Sequence, residues 1–320
     1  MLKFDKIKIV SSIKNISIID ENSFTKIIKE DYISSLKYNR LNPLIYIEVA
    51  YDRCELIIEF TGKILGKDYP KLICDDTIEK CFEAINALGI CQVNPSAMMF
   101  AEVVKCDVTK DIDCDDIAKL TNTIYGNISN YKKYVCHKLP NGNITIEKNV
   151  TTKRYKKRLT IYDKYKEMQR QENSEFRSFF PSVSFEGKCR FELNLNCKKQ
   201  ILNSLKPLST RLCDVLMADT NPIGDFLNEI LQDDVIDGDI ACNAKNYLKT
   251  LLIKECDYDI VNVEAKLRTL YSSSGTNIRK AITPYRRLLA KLNEGSANFK
   301  QTLLSHFPEI VIFLIIVPLM

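Results

Sequence analysis

At 320 residues, with 45% hydrophobic and 27% charged side chains, the chain can bury one large core or two modest ones and has the make-up of a globular protein. Its formal charge of +5 is too mild to imply a nucleic-acid partner by itself; the placement of the cations matters more. The opening MLKFDKIKIV lacks a long apolar run after its charges, so no secretory leader is expected and the chain reads as cytoplasmic.

Strand-like runs are expected at residues 3–10, 43–50, 54–61, 99–109, 131–138, 143–149, 157–163 and 188–195, with helices at 23–30, 76–88, 113–128 and 164–173. Pro140-Asn141-Gly142-Asn143 marks a tight hairpin. Beyond residue 200 the pattern turns helical, with Leu-rich periodic segments near 222–232, 241–256, 259–271 and 278–292. The expectation is an α+β fold: a catalytic domain over 1–200, built on a largely antiparallel sheet with helices on one face and an open DNA-binding face, then a helical C-terminal subdomain over 201–320. No internal repeat is evident. The acidic patches at 111–116 and 233–239 read as loops or helix starts. The apolar tail 310–320 is too short to span a bilayer, which needs about 20 residues, and reads as a docked element.

Several chemistries are excluded by residue type. None of the twelve cysteines forms a CxxC pair, which disfavours a zinc ribbon or redox motif, and buried reduced thiols are expected. Only His137 and His306 are present, so a histidine-rich metal centre is impossible and a Ser-His-Asp hydrolase would depend on one of them. The stretch Gly62-Lys63-Ile64-Leu65-Gly66-Lys67-Asp68 is one residue short of a P-loop and ends in Asp, so it reads as a turn.

Alternation in the strand-like runs sets polar residues against apolar ones. Leu56, Ile58 and Phe60 oppose Glu59; Val104, Cys106 and Val108 oppose Lys105, Asp107 and Thr109. Leu159 and Ile161 oppose Arg158, Thr160, Tyr162 and, if the strand continues, Lys164; Phe191, Leu193 and Leu195 oppose Arg190, Glu192 and Asn194. Glu59, Asp107, Glu192 and Tyr162 then share one polar sheet face. Three carboxylates there could hold a hard cation, Mg²⁺ or Mn²⁺, or each could be solvated or paired with a neighbouring lysine or arginine. Residues 131–170 add a second signal. Lys153, Arg154, Lys156, Lys157 and Arg158 lie in a basic run interleaved with tyrosines, a mixture suited to phosphates and unpaired bases.

Ile161-Tyr162-Asp163-Lys164-Tyr165-Lys166-Glu167, followed by Arg190-Phe191-Glu192, resembles the filamentous-phage gene II/X replication protein family and, more distantly, plasmid rolling-circle initiators without paired histidines. Glu59 and Asp107 resemble that family's strand-borne acids, and Tyr285-Arg286-Arg287-Leu288 followed by Gly295 resembles its C-terminal helical region. The resemblance covers residues from about 40 to 300, with a shorter gap between the tyrosine and Arg-Phe-Glu. It implies a rolling-circle replication initiator, an endonuclease and ligase. Tyr162 would form a 5′-phosphotyrosine on single-stranded or extruded origin DNA and release a 3′-OH primer. Lys164 would assist the phenolate. Glu59, Asp107 and Glu192 would hold Mg²⁺ or Mn²⁺. Lys153, Arg154, Lys156, Lys157, Arg158 and Arg190 would grip the DNA backbone. A host helicase and polymerase would act next. Two rivals stand beside this reading: a non-catalytic DNA-binding protein, and a mobilisation relaxase with the same chemistry.

Overall fold

The computed structural model describes residues 1–128, 133–150, 152, 156–177, 185–231, 244–256, 258–272, 277–292 and 299–307. Short runs that bury every second side chain build its centre. Ten strands form one sheet: β1 (Phe4–Ser12), β3 (Thr25–Lys29), β4 (Tyr32–Leu41), β5 (Leu44–Ala50), β6 (Glu55–Thr61), β8 (Glu102–Asp113), β9 (Tyr134–Lys138), β10 (Ile144–Lys148), β11 (Arg158–Asp163) and β12 (Lys188–Leu195). A separate two-stranded ladder pairs β2 (Ile16–Ile18) with β7 (Cys91–Val93). The large sheet runs β3-β4-β5-β6-β1-β8-β12-β11-β10-β9, antiparallel at every junction.

That order contains a repeat which the residues themselves do not announce. Each half starts at the sheet centre, with β1 or β8. The chain then jumps to the outer edge and returns strand by strand, so the halves read 1-6-5-4-3 and 8-12-11-10-9. Such a topology requires period-two patterning but no shared residue identities, which is why the repeat was not evident from the sequence.

One sheet face is apolar. Ile7, Ile9, Leu56, Ile58, Phe60, Cys106, Leu159, Ile161, Phe191 and Leu193 lie fully buried on it. Each such large apolar side chain contributes roughly 1.5–3 kcal/mol. Helices cover this face: α1 (Ile78–Asn86), α3 (Ile117–Gly126), α6 (Lys198–Leu205), α7 (Leu212–Leu216), α8 (Pro222–Ile230), α9 (Ala244–Glu255), α10 (Ile260–Leu270), α11 (Ile278–Leu292) and α12 (Phe299–Ser305). Among the described residues there are also the shorter helices α2 (Pro95–Met98), α4 (Lys164–Met168) and α5 (Ser174–Arg177). Edge-on ring contacts tie the layers together: Phe60 meets Phe82 at 6.0 Å, Tyr134 meets Phe226 at 5.1 Å and Phe191 meets Phe307 at 5.1 Å.

The fold is α+β, as expected, and all eight anticipated strands are present, seven with shifted ends and 188–195 with the bounds expected. The hairpin at Asn141-Gly142 joins β9 to β10, with Gly142 at φ +83°. Residues 23–30, expected as a helix, instead contain β3, an edge strand paired with β4, which was not anticipated. Ile27 and Ile28 there are consistent with either period over so short a run, and pairing decides. The helix expected over 164–173 stops at Met168 and resumes as a 3₁₀ turn at Gln171–Asn173. The division expected at residue 200 falls inside α6, and the helices beyond it share one core with the sheet. Acidic patch 111–116 finishes β8 and caps α3 through Asp116. Patch 233–239 and tail 310–320 lie outside the described residues. Among the described residues no helix is long and apolar enough to cross a membrane, and the described cysteines are free thiols, most of them buried.

Candidate active site

The second sheet face is polar, and strand register lines its side chains into rows. Tyr162 on β11 sits opposite Arg190 on β12, which sits opposite Asp111 on β8. In the next row Thr160, Glu192 and Thr109 are aligned, and beyond it Arg158, Asn194, Asp107 and Lys6. A β-bulge in β1 adds one more group. Phe4 opposes Val108 and Lys6 opposes Asp107, so Asp5 is the extra residue, and a bulge turns an additional side chain to the same side. The Asp5 carboxylate therefore reaches Arg190.

Tyr162 Oη donates a hydrogen bond to Glu192 Oε1 at 2.5 Å. Behind that pair lies a closed ionic network. Arg190 is fully buried and grips Asp111 in a bidentate fashion at 2.6 and 2.8 Å. Its Nη1 donates to Asp5 Oδ1 at 2.9 Å and to Tyr69 Oη at 2.7 Å, and stands 4.0 Å from Glu192 Oε1. Tyr69 in turn donates to Asp5 Oδ1 at 2.7 Å. Lys164 opens α4, so it lies beside Tyr162 but past the strand end. Its ammonium bonds Glu167 at 2.6 Å and stands 5.0 Å from the centre of the Tyr69 ring and 5.8 Å from that of Tyr162. Lys63 and the buried Asn173 close the far side of Glu167.

The two carboxyls near Arg190 are driven apart. Burial, reinforced by the charge of Asp5, lifts Glu192 to about 7 against the pull of Arg190, Lys164 and the Tyr162 hydroxyl. Burial also acts upward on Asp5, but Arg190 and Lys164 outweigh it and Asp5 is held below its ordinary value. Tyr162 is raised well above its usual value by burial and then by the charge of Glu192. Lys164 is lowered by burial and then by Arg190, while Lys164 and Lys63 overcome burial to hold Glu167 at about 2. Asp5 thus carries the permanent charge and Glu192 exchanges its proton near neutrality, the value that suits a general base. The pair is deep-set but not sealed: Tyr162 keeps 8% of its surface exposed and the Glu192 side chain 20%. A nucleophile hydrogen-bonded to a poised base, itself tuned by a third group, is an arrangement competent for attack on an ester.

At this end the polar face is covered, which was not anticipated. Tyr69, Leu72, Met168, Phe176 and Phe185 form a second small core, with Tyr165 packed against it. Part of the cover is the stretch read as a turn, which is 3₁₀ over Gly62–Lys71 with Gly66 at φ +56°. Tyr165 therefore serves packing here.

Three groups of expected residues part company. Tyr162, Lys164 and Glu192 are brought together. Glu59 and Asp107 share their face but stand elsewhere in the sheet. Glu59 faces Lys8 at 3.4 Å and Lys105 at 3.6 Å, and Asp107 faces Lys6 at 3.1 Å and accepts from Asn194. Three strand spacings, about 14 Å, separate the strands of Glu59 and Glu192. The three acids therefore do not fit one cation, and among the described residues no group of three His, Cys, Asp or Glu side chains is placed to hold a metal. Beside Glu192 the positive charge is already supplied by Arg190. Arg190 is no DNA contact, because its guanidinium is buried and committed to Asp111, Asp5 and Tyr69. Lys157 is also corrected. It turns to the helical side, its ammonium 5.1 Å from the centre of the Phe226 ring, and burial lowers its pKa. Lys156 and Arg158 remain on the polar side, both near Glu147. Lys153 and Arg154 lie outside the described residues.

Sequence reasoning missed Asp5, Tyr69 and Asp111. Asp5 had a signal: the apolar set Phe4, Ile7, Ile9 breaks period two between 4 and 7, as a bulge requires. Tyr285-Arg286-Arg287-Leu288 belongs to α11, where Arg286 stacks on Tyr125 at 4.7 Å and faces Glu264, a packing role. A scan against protein-family models finds no match to this chain, and a search of curated proteins finds none either.

Proposed function

We propose that the protein is a rolling-circle replication initiator, a strand-specific DNA nickase and ligase with Tyr162 as nucleophile and Glu192 as its base. The observation that carries this reading is the 2.5 Å hydrogen bond from the Tyr162 hydroxyl to a carboxylate lifted to about 7. Tyr162 Oη attacks the scissile phosphorus and passes its proton to Glu192. The bond from phosphorus to the 3′-oxygen breaks, and that oxygen takes a proton from water as it leaves, becoming the 3′-OH that primes synthesis by a host polymerase behind a helicase. The 5′-phosphotyrosine keeps the ester, so the reverse steps rejoin ends. Lys164, buried beside the Tyr162 ring, favours the phenolate as it forms. Asp5 and Arg190 position and tune Glu192 without touching DNA. No step is assigned to a metal, since the anticipated acids do not converge.

The 8% exposure of Tyr162 favours one rival, a DNA-binding protein in which the tyrosine only completes a buried network. Incubation with a single-stranded origin oligonucleotide and Mg²⁺ or Mn²⁺ separates the two. A covalent adduct that survives denaturation and disappears in Tyr162→Phe, but not in Tyr165→Phe, supports the nickase. An adduct retained in Tyr162→Phe overturns the assignment, and DNA binding with no adduct from the wild type favours the rival.

A further inference from the structure

The basic run near residue 155 does not account for a lysine-rich concavity among the described residues of the polar face. That concavity, about 380 Å³, is lined by Lys8, Lys105, Asn196, Lys198 and Lys199. Strand register sets Lys8 directly opposite Lys105, and like charges facing each other across a strand pair cost stability. Glu59 is shared between those two lysines at 3.4 and 3.6 Å, Lys198 contacts Glu102, and Lys199 is exposed. Four ammonium groups from three elements thus meet two carboxylates, an imbalance that a bound anion would relieve.

The position of this pocket matters as much as its charge. Along β12 and its continuation, Glu192, Asn194 and Asn196 point to the same face, so the pocket lies two alternate-residue steps from Glu192, about 13 Å. Between the two lies the row of Arg158, Asn194, Asp107 and Lys6, in which Lys6 pairs with Asp107 at 3.1 Å, and Asn196 is fixed by its hydrogen bond to the Lys156 carbonyl at 3.1 Å. We infer that Lys8, Lys105 and Lys199 hold the phosphates of single-stranded DNA a few nucleotides from the bond that Tyr162 cleaves. The inference rests on the proposed nickase reading and adds to it a binding track on the sheet face. A single strand is favoured over a duplex because the neighbouring end of the same sheet face is roofed by the second core.

The test measures binding of a labelled single-stranded oligonucleotide to full-length protein against salt, in the Tyr162→Phe background so that no cleavage intervenes. Lys105→Gln and Lys199→Gln should each weaken binding several-fold and reduce the slope of log K against log salt by about 0.7, with the double variant losing about 1.4. Lys266→Gln on α10 is the control and should change neither. Lys105→Gln should also leave the melting temperature unchanged or raised, since it relieves the opposition with Lys8. If the parent binds and both lysine variants keep its affinity and slope, the track is refuted while the nickase reading stands. If the parent binds no single strand, both readings fail. Equal losses on duplex would overturn the assignment to a single strand.

Discussion

Replacing Glu192 by Gln should abolish adduct formation and at the same time make the protein more stable at alkaline than at acid pH relative to wild type. The carboxyl is lifted from the ordinary 4.5 to about 7, so ionising it costs about 3 kcal/mol more in the folded protein than in the unfolded chain at about 1.4 kcal/mol per pH unit. With a fifth of the side chain in water and Asp5 sharing the effect, about 1–3 kcal/mol is expected in practice. The sign follows from proton binding. Below the unfolded value both states are protonated and nothing is lost. Between about 4.5 and 7 only the unfolded chain releases its proton, so wild-type stability falls as pH rises, and above about 7 the loss is complete. Glutamine accepts the Tyr162 hydroxyl without titrating. Urea denaturation of both proteins at pH 5 and pH 8 isolates the effect as a difference of differences. Glu192→Gln should gain about 1–3 kcal/mol on wild type between the two pH values. A gap that stays constant would refute the raised carboxyl and with it the poised base.

Arg190→Met should lower stability by about 3–5 kcal/mol in thermal or urea unfolding, because Asp111 and Asp5 lose a buried partner; a loss under 1 kcal/mol would contradict the closed network. Lys157→Ala should cost stability through lost packing on Phe226 yet leave the salt slope of DNA binding unchanged, and a slope reduced by about 0.7 would return Lys157 to the DNA surface. Glu59→Gln should leave adduct formation unchanged at every Mn²⁺ concentration and tighten single-strand binding, by freeing Lys8 and Lys105; an adduct that forms in this variant only at raised Mn²⁺ would make Glu59 a metal ligand after all.

What could be read beforehand follows physical range. Period-two alternation in 54–61 and 188–195 assigns strands and faces because burial acts locally on each side chain, and it placed Glu59, Asp107, Glu192 and Tyr162 on one face correctly. It says nothing of strand order, so the insertion of β1 between β6 and β8, which keeps Glu59 away from Glu192, was invisible. Lys157 was misassigned because it was grouped with the basic run by charge, although alternation puts it on the side of Leu159 and Ile161. Arg190 carries the same charge whether it meets phosphate or Asp111, and only long-range pairing across β8 and β12 decides. The edge strand 25–29 looked helical because its pairing with β4 outweighs local propensity.

Mass mapping of the protein–DNA adduct tests the central claim most directly. After incubation with a single-stranded origin oligonucleotide and nuclease trimming, the peptide that spans Tyr162 should carry the 5′-phosphonucleotide on that residue, with a free 3′-OH on the released strand. A modification on Tyr165 or any other tyrosine, or a wild-type protein that binds the strand and never becomes linked to it, would contradict the account.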